Sequence, residues 1–273
     1  MDTFVEQIVK KKKTIMDWLI IIAIILAQAA NAQTGNNVSD TDNNLLKAAL
    51  KGWHIRLSAG YNIGGTAPLP LPREIRGIES YNPGLNFAIE GTVEKNFKNS
   101  PWGIRWGIRF ETKGMTTKAE TKNYHMEAWN TDGSGQVVGA FTGKVKTSVK
   151  NTYLTVPVLA TYSIGERWTV SAGAYASYLL EGEFTGAAYD GYIRDQNPTG
   201  EYADVTRAEY DFSSDIRNFH WGFQAGGEYK AYKHLALFAN LQWGMNGIFP
   251  GNYGSVTFDL YPIYGTLGFT YLF

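Results

Sequence analysis

The sequence predicts an all-β protein, an eight-stranded antiparallel up-and-down transmembrane β-barrel with four long outer loops and three short periplasmic turns. Three observations support this prediction. Eight segments alternate between apolar and polar residues, the connections between them alternate in length, and the composition favours strands. Aromatic residues make up 14% of the 273 residues, and 30 are Gly, about 11% against a usual share of roughly 7%. Only 18% of the residues are charged.

The charge and the cysteine content exclude several classes of function. Lys and Arg together number 25, and Asp and Glu also number 25, so no net charge indicates a nucleic-acid partner. The chain has no cysteine, which excludes disulfides, thiolate metal sites, cysteine nucleophiles and lipidation at a cysteine. We therefore expect no nucleic acid among the partners and no cofactor.

The N-terminal residues have the order of a secretory signal peptide. A basic cluster, Lys10 to Lys13, precedes an apolar run from Trp18 to Ala27, and Ala30 and Ala32 supply small residues before a cleavage point. The apolar run is too short for a transmembrane helix, which needs roughly 20 residues. The sequence therefore predicts a cleaved signal peptide over residues 1–32, with an N-terminal membrane anchor as the alternative.

The rest of the chain divides into a leader and one domain. Residues 33–51 are rich in Asn and Asp, which predicts a flexible leader without fixed structure. Residues 52–273 contain all the alternating segments and are predicted to form the outer-membrane β-barrel domain.

Apolar and polar residues alternate most clearly in the segment Trp53–Ile63. Every odd position there is apolar, and every even position is polar or Gly. Because successive side chains of a strand point to opposite faces, this strand would have one apolar and one polar face. The same pattern recurs in seven further segments: Leu85–Glu94, Trp102–Glu111, Tyr153–Tyr162, Trp168–Tyr178, Phe219–Tyr229, Leu235–Trp243 and Ile263–Phe273.

The connections between these segments alternate strictly between long and short. Transmembrane barrels have this pattern because their periplasmic turns are tight and their outer loops are long. An even number of strands then predicts that both mature termini lie in the periplasm. In chain order the connections are residues 64–82, 98–101, 115–150, 164–167, 182–218, 231–234 and 246–260.

Periodicity alone does not say which face points outward. A soluble barrel of the lipocalin or streptavidin kind would place its apolar face inside. Aromatic residues near the strand ends favour a lipid-facing apolar surface, because membrane barrels carry an aromatic girdle at each interface. These residues are Trp53, Tyr61, Trp102, Tyr162, Trp168, Tyr178, Trp221, Tyr229, Trp243 and Tyr271.

The last predicted strand resembles the C-terminal signature of bacterial outer-membrane barrels. It reads Gly265-Thr266-Leu267-Gly268-Phe269-Thr270-Tyr271-Leu272-Phe273, with alternating hydrophobic residues and a terminal aromatic residue. The resemblance implies that Phe269, Tyr271 and Phe273 form the assembly signal that the barrel-assembly machinery reads.

Three internal stretches resemble the PorT-like outer-membrane β-barrel family of Gram-negative bacteria, whose barrels are of the eight-stranded OmpA/OmpX type. They are Tyr153–Leu159, Ala172–Leu180 and Phe219–Gly227. The resemblance covers the chain from about Trp53 onwards and implies an outer-membrane location and a barrel fold, while some members are linked to protein secretion. It also implies a bulge or distorted pairing at Pro157, because proline donates no ladder hydrogen bond.

The polar face of the strands predicts a network of ion pairs inside the barrel. Unpaired charges would cost several kcal/mol each if buried, so pairing is expected. An eight-stranded interior is just wide enough for side chains, which predicts a closed lumen, with a narrow ion path as the alternative. The predicted inward charges are Arg56, Glu90, Glu94, Arg105, Arg109, Glu111 and Glu228.

An enzymatic role is the least favoured interpretation. Rim chemistry in a small barrel needs a base, a nucleophile and an orienting acid. His220 is the one inward His near the outer rim, with Ser177, Ser213, Glu181 and Asp215 as possible neighbours. A hydrogen-bonded rim residue is the simpler interpretation of His220, so we expect no catalytic residues.

The two longest connections are candidate binding regions. Segment 115–150 is predicted either to form an outer loop or to extend two strands as a hairpin beyond the membrane. Segment 182–218 is acidic and rich in tyrosine, and a solvated variable loop is the simpler interpretation. It has no EF-hand spacing, and no metal site is indicated. The candidate loop residues for binding a protein or glycan are Tyr124, Trp129, Tyr189, Tyr192, Tyr202 and Tyr210.

These patterns together predict a non-catalytic outer-membrane barrel that presents long extracellular loops for structural or binding roles. A small channel, or a barrel associated with transport or secretion, is the alternative. The expected partners are outer-membrane lipid and lipopolysaccharide, the barrel-assembly machinery during biogenesis, and an extracellular protein or glycan ligand.

Overall fold

The computed structural model describes residues 52–130, 136–194, 199–251 and 259–273. The predicted signal peptide and leader lie outside the described residues. The described chain forms ten strands and one short 3-10 turn, Ser213–Asp215. The strands are β1 His54–Pro68, β2 Ile75–Asn82, β3 Phe87–Asn96, β4 Trp102–Asn130, β5 Gln136–Ile164, β6 Trp168–Arg194, β7 Tyr202–Asp211, β8 Phe219–Tyr232, β9 Leu235–Gly244 and β10 Leu260–Leu272. No helix among the described residues is long and apolar enough to cross a membrane.

Eight of the strands close into an antiparallel barrel, which confirms the predicted fold class. Each strand of the series β1, β3, β4, β5, β6, β8, β9 and β10 pairs with the next. β10 then pairs back with β1, for example Thr270 with Ser58. Three short connections, residues 97–101, 165–167 and 233–234, lie at one end of the barrel, which we call the short-turn end.

Three strands continue far beyond the barrel, which corrects the predicted strand lengths. β4 and β5 each contain 29 residues and β6 contains 27. At roughly 3.3 Å per residue, β4 is about 95 Å long, whereas 9–11 residues cross a membrane. Segment 115–150 therefore forms the hairpin extension rather than a loop. For segment 182–218 the interpretation as a solvated variable loop is wrong, because it continues β6 and adds β7.

The extensions continue the same sheet beyond the barrel, at the end opposite the short turns, and we call this part the distal layer. It consists of β2, β7 and the parts of β4, β5 and β6 over residues 114–130, 136–150 and 183–194. β2 pairs with β4, and β7 pairs with β6 and with the tip of β4. The layer has its own hydrophobic core, whose members include Phe141, Val145, Val149, Phe184, Ala188, Ile193, Val205, Ala208, Tyr210, Ile216, Ile248, Phe249 and Leu260.

The barrel wall itself is apolar on the outside. Large hydrophobic side chains of all eight strands project outward, and examples are Leu267 at 56%, Leu241 at 54% and Phe223 at 53% exposure. At the short-turn end, aromatic rings pair edge to face or tilted across neighbouring strands. Trp102 lies 4.9 Å from Tyr162, and Trp168 lies 4.8 Å from Tyr229. This outward apolar band with aromatic borders is the arrangement of a barrel in lipid.

Pro157 interrupts the pairing of β5 on one side only. It pairs with Tyr175 on β6, but the β4–β5 ladder has a gap between the Trp106–Val158 and Arg109–Thr155 pairs. The register on either side of the gap is the same, so no extra residue is inserted. The pairing is distorted without a bulge, as expected where a residue lacks the donor N–H.

The apolar outer face predicts a strong cost for a charge at mid-strand. Leu267→Arg should destabilise the barrel in a bilayer by roughly 2–4 kcal/mol, because the guanidinium would lie in hydrocarbon. Ile78→Arg is the matched control, since Ile78 is 60% exposed but lies on β2 in the distal layer. Urea titrations of both variants in lipid vesicles measure the difference. Equal, small losses at both positions would contradict a lipid-facing wall.

Candidate functional site

The seven predicted inward charges are all buried inside the barrel. They are joined there by Lys113, so that four basic and four acidic side chains are buried among the described residues. The alternation of the strands places them on the inner face, and the register brings partners together: Glu94 pairs opposite Arg105, and Glu90 opposite Arg109. They form two groups, one towards the short-turn end and one further along the lumen.

The group nearer the short-turn end contains two arginines and two glutamates. Arg105 Nε donates to Glu94 Oε2 at 2.7 Å, and Arg56 Nη1 lies 3.1 Å from the same oxygen. Arg56 also donates to Glu228, and Arg105 Nη1 lies 3.8 Å from Glu228 Oε2. Each guanidinium therefore faces both carboxylates, and the group has no net charge.

The second group continues the network across the lumen. Arg109 Nε donates to Glu90 Oε2 at 2.6 Å, and its Nη2 donates to the side-chain oxygen of Gln224 at 2.8 Å. Arg109 Nη1 lies 3.8 Å from Glu111 Oε2, which links this pair to the next. Thr155 donates its hydroxyl to Glu111 at 2.8 Å and contacts Ser177 at the same distance.

Lys113 is the lumen charge that the sequence analysis missed. Its Nζ lies 3.0 Å from Glu111 Oε1 and donates to Gln242 at 2.8 Å. Three tyrosine rings surround the ammonium, with centroids 5.3 to 5.7 Å away, so cation–π attraction adds to the ion pair. The rings belong to Tyr153, Tyr175 and Tyr264. The predicted strand ended at Glu111, although alternation continued by one more step would have included Lys113.

His220 is a buried rim residue. It is 2% exposed, its Nε2 lies 2.8 Å from the backbone oxygen of Arg217, and its ring packs edge to face against Tyr153. Ser177, which was named as a neighbour of His220, lies opposite it on β6, but its hydroxyl contacts Thr155. No group of three or more His, Cys, Asp or Glu residues in the described ranges has the arrangement of a metal site.

The candidate binding tyrosines divide between the core and the surface of the distal layer. Tyr210 is buried, and its hydroxyl contacts Thr147 Oγ1 at 2.7 Å and donates to the Lys146 carbonyl at 3.1 Å. Burial raises the pKa of Tyr210, and it raises the pKa of Tyr124 to about 12. Tyr210 lies in the core and Tyr124 packs against it, partly buried, so that neither lies in an open loop. Their role in binding stays a prediction.

The other four candidates have different positions. Tyr189 is half-buried on β6. Trp129 pairs through its backbone with Gln136 and Glu209. Its side chain is not among those that the structure describes. Tyr192 and Tyr202 form an outer patch with Arg194, whose guanidinium lies 5.2 and 5.7 Å from the two ring centroids. Tyr202 is 65% exposed.

The predicted assembly residues lie on the outer face of the last strand. Phe269, Tyr271 and Phe273 are 55%, 47% and 43% exposed, and the rings of Tyr271 and Phe273 contact each other edge to face at 4.9 Å. His234 stacks on Tyr271 and contacts the Leu272 carbonyl at 2.8 Å, which ties the strand to the third short turn. Recognition of Phe269, Tyr271 and Phe273 by the barrel-assembly machinery stays a prediction.

A closed barrel with an apolar wall, aromatic borders and a charged interior defines an outer-membrane β-barrel. The sequence matches the family described as outer membrane protein beta-barrel domain over residues 27–250, and the chain belongs to that family. Membership places the barrel in the outer membrane, so the apolar wall contacts lipid. No curated protein matches the sequence.

Three solved outer-membrane proteins are similar in structure. Ail of Yersinia pestis, solved with the heparin analogue sucrose octasulfate, is 12% identical with a TM-score of 0.34, and the match covers 81% of this chain and 97% of Ail. Neisserial surface protein A is 8% identical with a TM-score of 0.30, covering 82% and 98%. OprG of Pseudomonas aeruginosa is 10% identical with a TM-score of 0.24, covering 81% and 95%.

The ion pairs among Arg56, Arg105, Glu94 and Glu228 predict that two substitutions in this group will not have additive effects on stability. Glu94→Gln or Arg105→Met alone leaves one uncompensated buried charge and should cost roughly 3–5 kcal/mol. The double variant keeps the neutral Arg56–Glu228 pair and should recover part of that loss. Unfolding midpoints in detergent, followed by tryptophan fluorescence, measure the coupling. Strictly additive losses would show that the charges are hydrated rather than paired.

Proposed function

We propose that this protein is a non-catalytic barrel with a closed lumen that presents the distal layer outside the cell as a binding platform. The observation that carries the proposal is that the long connections are paired strands with a hydrophobic core of their own. A preformed sheet loses less conformational entropy on binding than a mobile loop, so it suits recognition of an extracellular protein or glycan. The proposed contact surface is the patch formed by exposed Tyr202 with the half-buried Tyr192 and Arg194.

Two barriers support the closed lumen. The first is the balanced set of ion pairs, which fills an interior only wide enough for side chains. The second is a hydrophobic cap at the distal end, where Ile248 and Phe249 are buried in the core of the distal layer. Arg217 fixes this cap by donating to the carbonyl oxygens of Gly247 and Phe249 at 3.3 and 3.1 Å.

The proposal includes the orientation and the route of export. Residues 1–32 act as a cleaved signal peptide, both mature termini face the periplasm, and the distal layer contacts lipopolysaccharide and the medium. The non-catalytic role is supported by the burial of His220 and by the engagement of Ser177 with Thr155. A PorT-like role in secretion, or a channel, is the alternative that conductance would favour.

Planar-bilayer recordings test the closed lumen. The unmodified barrel should give no steady conductance, because both barriers lie across the same path. Loosening the cap with Arg217→Ala should leave the ion-paired barrier intact and the barrel silent. Large, stable single-channel steps from the unmodified protein would favour the channel.

Binding by intact cells tests the platform. Cells that display the protein should bind a member of a panel of immobilised glycans and envelope proteins, and Tyr192→Ala with Tyr202→Ala should reduce that binding at least tenfold, since aromatic anchors dominate such contacts. Tyr232→Ala is the matched control, because Tyr232 is 73% exposed at the short-turn end.

Cysteine labelling tests the orientation of the barrel in the membrane, because the unmodified chain has no cysteine. Tyr202→Cys should react with an impermeant maleimide on intact cells, and Glu166→Cys only after the outer membrane is opened. Reaction of Glu166→Cys alone on intact cells would reverse the topology. Equal binding by the Tyr192→Ala, Tyr202→Ala double variant and by the Tyr232→Ala control would contradict the proposed contact surface.

A further inference from the structure

The exposed charge at the short-turn end is almost entirely positive. Five exposed basic side chains lie in or beside the three turns: Lys95, Lys98, Arg167, Lys230 and Lys233. In the described part of this end the one exposed acidic side chain is Glu166. None of the five cations forms an ion pair with a described residue. The lumen, by contrast, is balanced, and the strands of the distal layer also carry equal numbers of basic and acidic residues.

The three turns are joined into one continuous rim. Ser163 at the second turn donates its backbone N–H to the Pro101 carbonyl of the first turn at 2.8 Å. Lys230 at the third turn donates to the Arg167 carbonyl of the second, also at 2.8 Å. The cations are therefore held around the border of the barrel wall and are not spread over independent loops.

The rim coincides with the aromatic border of the apolar wall. Lys95 Nζ lies 5.5 Å from the Trp53 ring centroid, and Arg167 donates to the Tyr229 hydroxyl at 3.1 Å. Basic side chains beside interfacial aromatic rings extend towards the lipid headgroups and keep their alkyl chains on apolar surface. This position beside interfacial aromatic rings suits contact with the phosphate groups of one leaflet.

Two contiguous apolar grooves run along the wall beside the first two turns. They have volumes of about 390 and 690 Å³ and share Trp102 and Ala160. The first begins at Phe97 and Ser100, on either side of Lys98 in the sequence. The second crosses Ala172 and Ala225, which the strand register places in one row with Ala160. A hydrocarbon chain fits such a groove, whereas a soluble anion does not need one.

We infer that the short-turn end binds an anionic glycerophospholipid, with the phosphate at Lys98 and Arg167 and an acyl chain in the two grooves. The charge of the rim selects an anion, and the grooves select a lipid over a soluble phosphate. The inference is independent of the binding platform in the distal layer. It assigns the two ends of the barrel to different ligands, a lipid at the short-turn end and a protein or glycan at the distal layer.

Native mass spectrometry of the whole protein in detergent tests the site. The probes are phosphatidylglycerol and phosphatidylcholine with the same acyl chains, supplied at equal concentration. A cation near a membrane surface contributes roughly fivefold in affinity for anionic lipid, so two should give a preference on the order of 25-fold. Lys98→Gln with Arg167→Gln should reduce that preference to near one.

Two further variants separate the parts of the site. Lys118→Gln with Lys146→Gln removes the same charge from exposed lysines of the distal layer and should leave the preference unchanged. Ala172→Leu fills the second groove, so it should reduce the retention of both lipids without changing their ratio. Neither variant alters the ion pairs in the lumen.

Each remaining outcome overturns the inference. Equal retention of the two lipids by the unmodified protein would show that the rim does not select phosphate charge. An equal loss in the Lys118 and Lys146 variant would show an effect of net charge alone. If free glycerol 3-phosphate displaced phosphatidylglycerol at similar concentration, the acyl chain would not contribute, and the ligand would be a soluble anion.

Discussion

Every backbone N–H and C=O that lies in the hydrocarbon layer must find its partner within the protein, and the rest of this structure follows from that constraint. A sheet satisfies it only by closing on itself, because an open edge would leave unpaired groups in lipid. The pairing of β10 with β1 removes both edges. Closure then fixes the placement of side chains, since one face of each strand must meet lipid and the other must fill the interior.

The ion pairs in the lumen are a consequence of this closure. Eight strands enclose a narrow space with little room for water, so each buried charge needs a partner inside the barrel. Arg56 on β1 reaches both Glu94 on β3 and Glu228 on β8, which connects strands far apart in the sequence. Such cross-lumen contacts hold the barrel cross-section in one shape. They also explain why the interior holds equal numbers of basic and acidic side chains.

The sequence was sufficient to predict the barrel because lipid and lumen impose opposite polarities on alternate residues. The inward charges followed from the same alternation, and Arg109 and Glu90 indeed lie opposite each other. Lys113 was missed because the predicted strand ended at Glu111, the expected membrane border, whereas β4 continues beyond it. The partners of each charge across the lumen were not predictable, since they depend on the shear of the barrel and not on sequence neighbours.

The distal layer was not predictable because its strands exchange the roles of their two faces. In β6 the apolar residues keep even positions from Trp168 to Ala188, yet Tyr178 faces lipid and Phe184 faces the distal core. A bulge at Leu180, which has no partner on β5, produces the exchange by inserting one residue. In β5 the apolar residues themselves move from one set of alternate positions to the other. Val145 and Val149, at odd positions, are buried in the distal core, whereas from Leu154 onwards the apolar residues that face lipid occupy even positions.

This exchange has a consequence for function. A strand that leaves the membrane must turn its apolar face from lipid to a protein core, or it exposes that face to water. The bulge at Leu180 and the change of alternate positions in β5 meet this requirement on neighbouring strands at the same level, because Thr152 pairs with Glu181 and Tyr153 with Leu179. The sheet can therefore continue from the barrel into the distal layer without exposing its apolar face. The outer faces of the distal layer and the rim at the short-turn end are the two surfaces that we propose for recognition.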